Sequence, residues 1–188
     1  MSNARIEVIL GCMYSGKSTE LLRRAKRYES IGQRVLLVNH SLDTRSTDNT
    51  IQTHTHETTS AFKTDLLSEI TSLSNFHMYD VIGIDEAQFF PDLREFILRI
   101  ESMNKVIIVA GLDGDFRRRP IGQVLDIIPL CDEVTKLTAM DMIDKDGSPG
   151  IFSKRIVPDD DQVLIGATES YVAVSRKNYL TQIPEDSE

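Results

Sequence analysis

One octet constrains this chain more than anything else in it. Residues Gly11-Cys12-Met13-Tyr14-Ser15-Gly16-Lys17-Ser18 fit the spacing Gly-x-x-x-x-Gly-Lys-[Ser/Thr] without departure. The segment before it, Arg5–Leu10, carries the nearly continuous apolar run of a strand buried in a parallel sheet. The segment after it, Lys17 to Ile31, is rich in helix formers, and Gly32 supplies its C-terminal stop. A glycine loop between a buried strand and a helix N-terminus is a phosphate cradle. Backbone N–H groups and the helix dipole face the phosphate oxygens, the lysine neutralises them, and the serine hydroxyl ligates Mg²⁺. The octet predicts a P-loop domain of the α/β class. Gly11, Cys12, Met13, Tyr14, Ser15, Gly16, Lys17, Ser18 and Thr19 would meet ATP, with Ser18 directed to Mg²⁺.

The rest of the chain extends this unit. Arg34–Asn39 reads as a second strand, and strand–helix–strand implies a parallel pair with a right-handed crossover. Further strands are expected at Tyr79–Asp85, Lys105–Ala110 and Val134–Leu137. Helices are expected around Asp65–Leu73, from Pro91 to Met103, and over Ile121–Ile128. The sum is a parallel sheet with helices on both faces over residues 1–138. Past Thr138 the pattern breaks into short pieces, with a turn at 146–150 and short strands at Ile151–Val157 and Gln162–Ile165. Residues 139–180 therefore read as a small second unit, and 181–188 as a disordered acidic tail. The threonine-rich stretch from Ser41 to Ser60 reads as a polar loop or flap-like hairpin. His54 and His56 within it have a metal-compatible spacing, but no third ligand is near them in sequence, so solvated histidines are expected.

Composition narrows the function classes. With 188 residues, 40% hydrophobic and 27% charged, the chain is globular rather than disordered. At that size it buries about 70% of its unfolded surface and needs no disulfide framework. Two cysteines, Cys12 and Cys131, suit a reducing compartment. No apolar run approaches the roughly 18 residues of a membrane span, and no signal-peptide core follows the N-terminus, so a cytoplasmic protein without membrane contact is expected. The formal charge of −8 would repel a long polyanion and argues against nucleic acid. Arg117-Arg118-Arg119, the dense basic run, fits either a small phosphorylated ligand or a solvated turn.

The second chemical signal is Ile82-Gly83-Ile84-Asp85-Glu86, an apolar strand ending in adjacent carboxylates. Behind a P-loop, Asp85 is the expected Mg²⁺ partner, and Glu86 can act as general base on a water or a hydroxyl. These two signals leave a kinase, a motor ATPase and a nucleotide-binding regulator all open. Cys12 also has two readings. Inward-pointing loop N–H groups and Lys17 favour a reactive thiolate; a small buried hydrophobe is the alternative.

Wider patterning chooses among them. Ile-Leu-Gly-x-Met-x-Ser-Gly-Lys-Ser-Thr-Glu-Leu at Ile9–Leu21 resembles the opening of thymidine kinases of the cellular, poxviral and bacterial type. So do Asp43-Thr44-Arg45, Gly83-Ile84-Asp85-Glu86-Ala87-Gln88-Phe89-Phe90, Gly111-Leu112-Asp113-Gly114-Asp115-Phe116, Lys136-Leu137-Thr138-Ala139 and Lys154-Arg155. The resemblance is colinear from about Arg5 to Tyr179. It implies transfer of the γ-phosphoryl group of ATP to the 5′-hydroxyl of thymidine, with deoxyuridine as a second acceptor. It gives Glu86 the role of base and Asp85 and Ser18 that of Mg²⁺ partners. Arg45 and Arg155 would stabilise transition-state charge. Met13, Phe89, Leu112, Phe116, Ser153 and Tyr171 would form the nucleoside pocket, with core packing as the rival reading for the Phe and Leu side chains. Tyr171 would belong to a lasso loop gripping the base. The resemblance further implies a homotetramer with feedback inhibition by thymidine triphosphate. One part departs: where the family carries two Cys-x-x-Cys pairs on structural zinc, this chain has Asp141, Asp144, Ser175 and Asn178. No structural zinc is expected, and hydrogen bonds from Ser175 and Asn178 to Asp141 or Asp144 should take its place.

Overall fold

Strands and helices alternate from the first residues described in the computed structural model, which covers residues 4–43, 50–52, 58–158, 162 and 170–181. β1 (Arg5–Gly11) runs into the glycine loop, α1 (Lys17–Glu29) leaves it, and β2 (Val35–His40) follows. β3 (Thr50–Gln52) and β4 (Thr58–Ser60) pair antiparallel, which gives the polar stretch the hairpin character read from its sequence. Arg45, His54 and His56 lie outside the described residues. Next come β5 (Phe62–Thr64), α2 (Ser68–Thr71), β6 (Val81–Ile84), α3 (Leu93–Ile100), β7 (Val106–Leu112) and β8 (Glu133–Leu137). The last portion holds β9 (Ala139–Met140), β10 (Pro149–Gly150), β11 (Phe152–Arg155), β12 (Tyr171–Val174) and α4 (Arg176–Leu180).

Six strands form one parallel sheet in the order β5-β2-β6-β7-β1-β8. Side chains alternate across it, as the two-residue period of a strand requires. Val8, Leu10, Val38, Ile82, Ile84, Ile107 and Val109 join one core with Leu93, Phe96, Ile97 and Ile100 of α3. Ile9, Leu37, Val81, Ile108 and Ala110 join the other with Leu21, Leu22 and Ala25 of α1. Helices therefore cover both faces. Glu7, the buried polar residue of β1, falls on the α1 side and is 5% exposed. Arg24 of α1 meets it at 2.6 Å, so the buried carboxylate has a charged partner and the helix is tied to the sheet.

Three expectations need correction. β1 and β2 are parallel but not neighbours, because β6 and β7 lie between them. Those two strands are apolar and buried almost throughout, and only interior places cover both their faces and both their edges. The helix expected at 65–73 shrinks to the single turn of α2, and the residues just before it, Phe62–Thr64, become the edge strand β5. Three residues are too few for an alternating pattern to be legible. The helix expected at Ile121–Ile128 is instead a 3₁₀ segment over Leu125–Leu130. Pro129 inside it lacks an N–H and disfavours a continuing α-helix. Of the strand expected at 162–165, and of the tail, residues 163–165 and 182–188 lie outside the described residues. No described helix is long and apolar enough to cross a membrane.

Candidate active site

Every strand of the parallel sheet points its C-terminal end to the same edge, where α/β proteins bind ligands. The glycine loop leaves that edge after β1. It turns through two left-handed residues, Tyr14 at φ 64° and Gly16 at φ 82°. Lys17 Nζ donates to Cys12 O at 2.7 Å, and Ser15 Oγ donates to the same carbonyl at 2.9 Å. Lys17 and Ser18 are buried, whereas Thr19 is exposed on the first turn of α1. Burial pushes the Lys17 ammonium below its ordinary pKa, and attraction to Glu86 and Asp85 works against that shift. The lysine thus sits in the field of both carboxylates.

Those carboxylates follow β6. Asp85 N donates to Val38 O at 2.9 Å, which prolongs the sheet ladder, and the residue is 1% exposed. Glu86 adopts φ 51° and ψ 39°, a left-handed conformation that costs a non-glycine residue energy and recurs at functional sites. Gln88 Nε2 donates to Glu86 Oε2 at 2.5 Å, while its Oε1 accepts from Leu112 N at 3.0 Å. Ser18 and Asp85 together offer a hydroxyl and a carboxylate, hard oxygen donors of the kind Mg²⁺ takes.

The pocket residues expected from the sequence, together with Arg155, fall into three groups. Arg155 of β11 stands opposite Tyr171 of β12 in the antiparallel register. Its guanidinium donates to the Tyr171 hydroxyl and lies 3.8 Å from the Phe116 ring centroid. These three side chains make one cluster, tied further by Tyr179 Oη donating to Phe116 O at 2.7 Å. Ser153 forms the second group. It is 5% exposed, and its Oγ accepts from Met13 N at 2.9 Å, so a residue expected beside the base holds the glycine loop. Leu112 and Phe89 are half-buried at the same sheet edge, with the Phe89 ring 5.7 Å from that of His40.

The arginine run is engaged in structure. Arg119 Nε reaches Asp115 Oδ2 at 3.1 Å, Arg117 stacks over Phe116 at 4.9 Å, and Arg118 stacks over Tyr179 at 4.4 Å. All three arginines are exposed on a turn closed by Arg118 N donating to Asp115 O, so the solvated-turn reading holds, with these contacts added to it.

Cys12 must also be corrected. The side chain is 2% exposed, its Sγ donates to Gly150 O at 3.2 Å, and burial raises its pKa despite Lys17 nearby. The thiolate reading fails because desolvation outweighs the local positive field. In the native protein, iodoacetamide followed by peptide mapping should leave Cys12 unmodified with or without nucleotide. Half-buried Cys131 should be the first to label. Rapid labelling of Cys12 would restore the thiolate.

The expected junction between the Asp141 and Ser175 segments is present. Asp141 is 2% exposed and accepts from Asn178 Nδ2 at 2.9 and 3.0 Å and from Ser175 N at 2.5 Å. It also accepts from Ile143 N and Asp144 N at 2.8 and 2.9 Å. Lys177 Nζ pairs with Asp144 at 3.0 Å. Burial would raise the Asp141 pKa, but the hydrogen bonds from Ser175, Asp144 and Asn178 prevail and hold it well below the carboxylate range. What sequence reasoning missed is the placement of Gln88 and Ser153. Gln88 stood inside a quoted motif with no role, and only the closeness of β6 and β7 gives it one.

A glycine loop and a carboxylate pair at the C-terminal edge of a parallel sheet, with helices on both faces, are the architecture of P-loop phosphotransferases. The chain belongs to the thymidine kinase family, whose model, described as thymidine kinase, matches residues 4–179. It is 41% identical to thymidine kinase 1 of Dictyostelium discoideum, over 93% of this chain and 77% of that one. It is 45% identical to thymidine kinase a of Arabidopsis thaliana (94% and 75%) and 42% identical to the thymidine kinase of myxoma virus strain Uriarra (95% and 98%).

Proposed function

We propose that this chain transfers the γ-phosphoryl group of ATP to the 5′-hydroxyl of thymidine, and to deoxyuridine as a second acceptor. The observation that carries this reading is the convergence of Lys17 with Asp85 and Glu86 at the C-terminal edge of the sheet. Gly11 to Thr19 cradle the ATP phosphates, and Lys17 leaves the Cys12 carbonyl for a phosphate oxygen. Ser18 and Asp85 hold Mg²⁺, which when bound neutralises phosphate charge. Glu86 accepts the proton of the 5′-hydroxyl as that oxygen attacks. Arg45 and Arg155 lower the cost of charge on the transferred group. Met13, Phe89, Leu112, Phe116, Ser153 and Tyr171 border the nucleoside and exclude water.

Residues 1–138 form the nucleotide-binding domain in this reading, 139–180 a lasso subdomain that closes over the base, and 181–188 an acidic tail. The subdomain is organised by the Asp141 junction in place of zinc. The enzyme acts in the cytoplasm as a homotetramer and is inhibited by thymidine triphosphate. A panel of nucleosides incubated with ATP and Mg²⁺ tests the central claim. Thymidine monophosphate should be the main product; ATP hydrolysis without nucleoside phosphorylation would overturn the reading in favour of an ATPase.

A further inference from the structure

Gln88 joins the ends of two strands that the sheet places side by side. Its NH₂ group donates to Glu86 Oε2 at 2.5 Å beyond β6, and its carbonyl accepts from Leu112 N at 3.0 Å in β7. A backbone N–H can only donate, so Leu112 dictates which end of the amide faces β7 and turns the NH₂ group to Glu86. The side chain is 5% exposed, so water does not compete freely for either bond. Its backbone is confined as well. Gly122 sits at φ 56°, and a Cβ there would come within 2.1 Å of Gln88 O. Glu86 has an unfavourable left-handed backbone, so an external contact on its carboxylate matters for where that group points.

We propose that Gln88 is a positioning residue for phosphoryl transfer: it holds the Glu86 carboxylate toward the acceptor hydroxyl and couples that orientation to the pocket wall at Leu112. The proposal rests on the reading of Glu86 as the base. No proton passes through the amide, which is neutral and keeps both hydrogen bonds throughout.

A double-mutant cycle tests it. Gln88→Met keeps the bulk and removes both hydrogen bonds, and should lower kcat about tenfold to a hundredfold, as misplacement of a catalytic group does. KM for thymidine and for ATP should stay near those of the parent, while the melting temperature falls by several degrees because Leu112 N loses its acceptor. In a Glu86→Gln background the same change should alter the residual rate by less than about twofold, because no base is left to orient. An equal loss in both backgrounds would overturn the proposal. If Gln88→Met folds poorly, Gln88→Glu decides. It keeps the shape and the acceptor for Leu112 N but presents a second carboxylate to Glu86, so kcat must still fall. A parent-like kcat in Gln88→Glu would be fatal. Near-normal turnover of Glu86→Gln alone would remove the base assignment and this inference with it. A crippled Glu86→Gln beside a parent-like Gln88→Met would remove this inference only.

Discussion

Replacing Glu86 by glutamine should cut turnover by about 10²–10⁴-fold while leaving ATP binding close to normal. The substitution keeps the size of the side chain and removes its ability to accept a proton. It does not touch the glycine loop, where Lys17 and the loop N–H groups would hold the phosphates. Steady-state kinetics with thymidine, paired with a fluorescence titration of a nucleotide analogue, separate the two effects. A variant with near-normal turnover would show that another group, or water, takes the proton. A variant that loses nucleotide binding as well would place Glu86 in the phosphate or metal site.

Asp141→Ala carries the second large effect, on stability rather than on chemistry. The carboxylate receives hydrogen bonds from Asn178, Ser175, Ile143 and Asp144, and alanine offers them nothing. Leaving the buried Asn178 amide unsatisfied costs about 1–3 kcal/mol and the three part-buried N–H donors add less, because water reaches them, so a loss of about 3 kcal/mol is expected. For a domain of this size that lowers the melting temperature by roughly 6–12 °C. The effect should depend on pH in a definite direction. Folding holds the Asp141 pKa below its unfolded value, so the contribution is complete above an ordinary carboxylate pKa of about 3.9 and is lost as the pH falls toward the folded value. The gap in melting temperature between parent and variant should therefore narrow below about pH 4. A gap that stays constant there would mean the carboxylate is not the organising charge. Elemental analysis offers an independent check, since one tightly bound zinc per chain would contradict this account. Kinase activity should also survive a strong chelator once Mg²⁺ is restored.

The parts of this protein that its sequence determined by itself are those whose physics is local. Strand, glycine loop and helix are contiguous, and each is marked by its own pattern: an apolar run, Gly11 and Gly16, then helix formers closed by Gly32. Asp85 and Glu86 were legible for the same reason, because an apolar run closing on two adjacent carboxylates marks the end of a buried strand. The absent cysteines at 141, 144, 175 and 178 even allowed the hydrogen-bonded junction to be anticipated, since only oxygen and amide groups remained there. Tertiary structure alone decided which strands are neighbours and which side chains are desolvated. The insertion of β6 and β7 between β1 and β2 brings Gln88 to Leu112, 24 residues on in the chain. The register of β11 against β12 sets Arg155 on Tyr171, and the packing of that unit onto the glycine loop turns Ser153 to Met13 and buries Cys12. A local positive field was visible around Cys12 in the sequence, but its burial was not. Spacing along the chain encodes periodicity and charge; desolvation and strand order are sums over residues distant in sequence, and only the folded chain performs them.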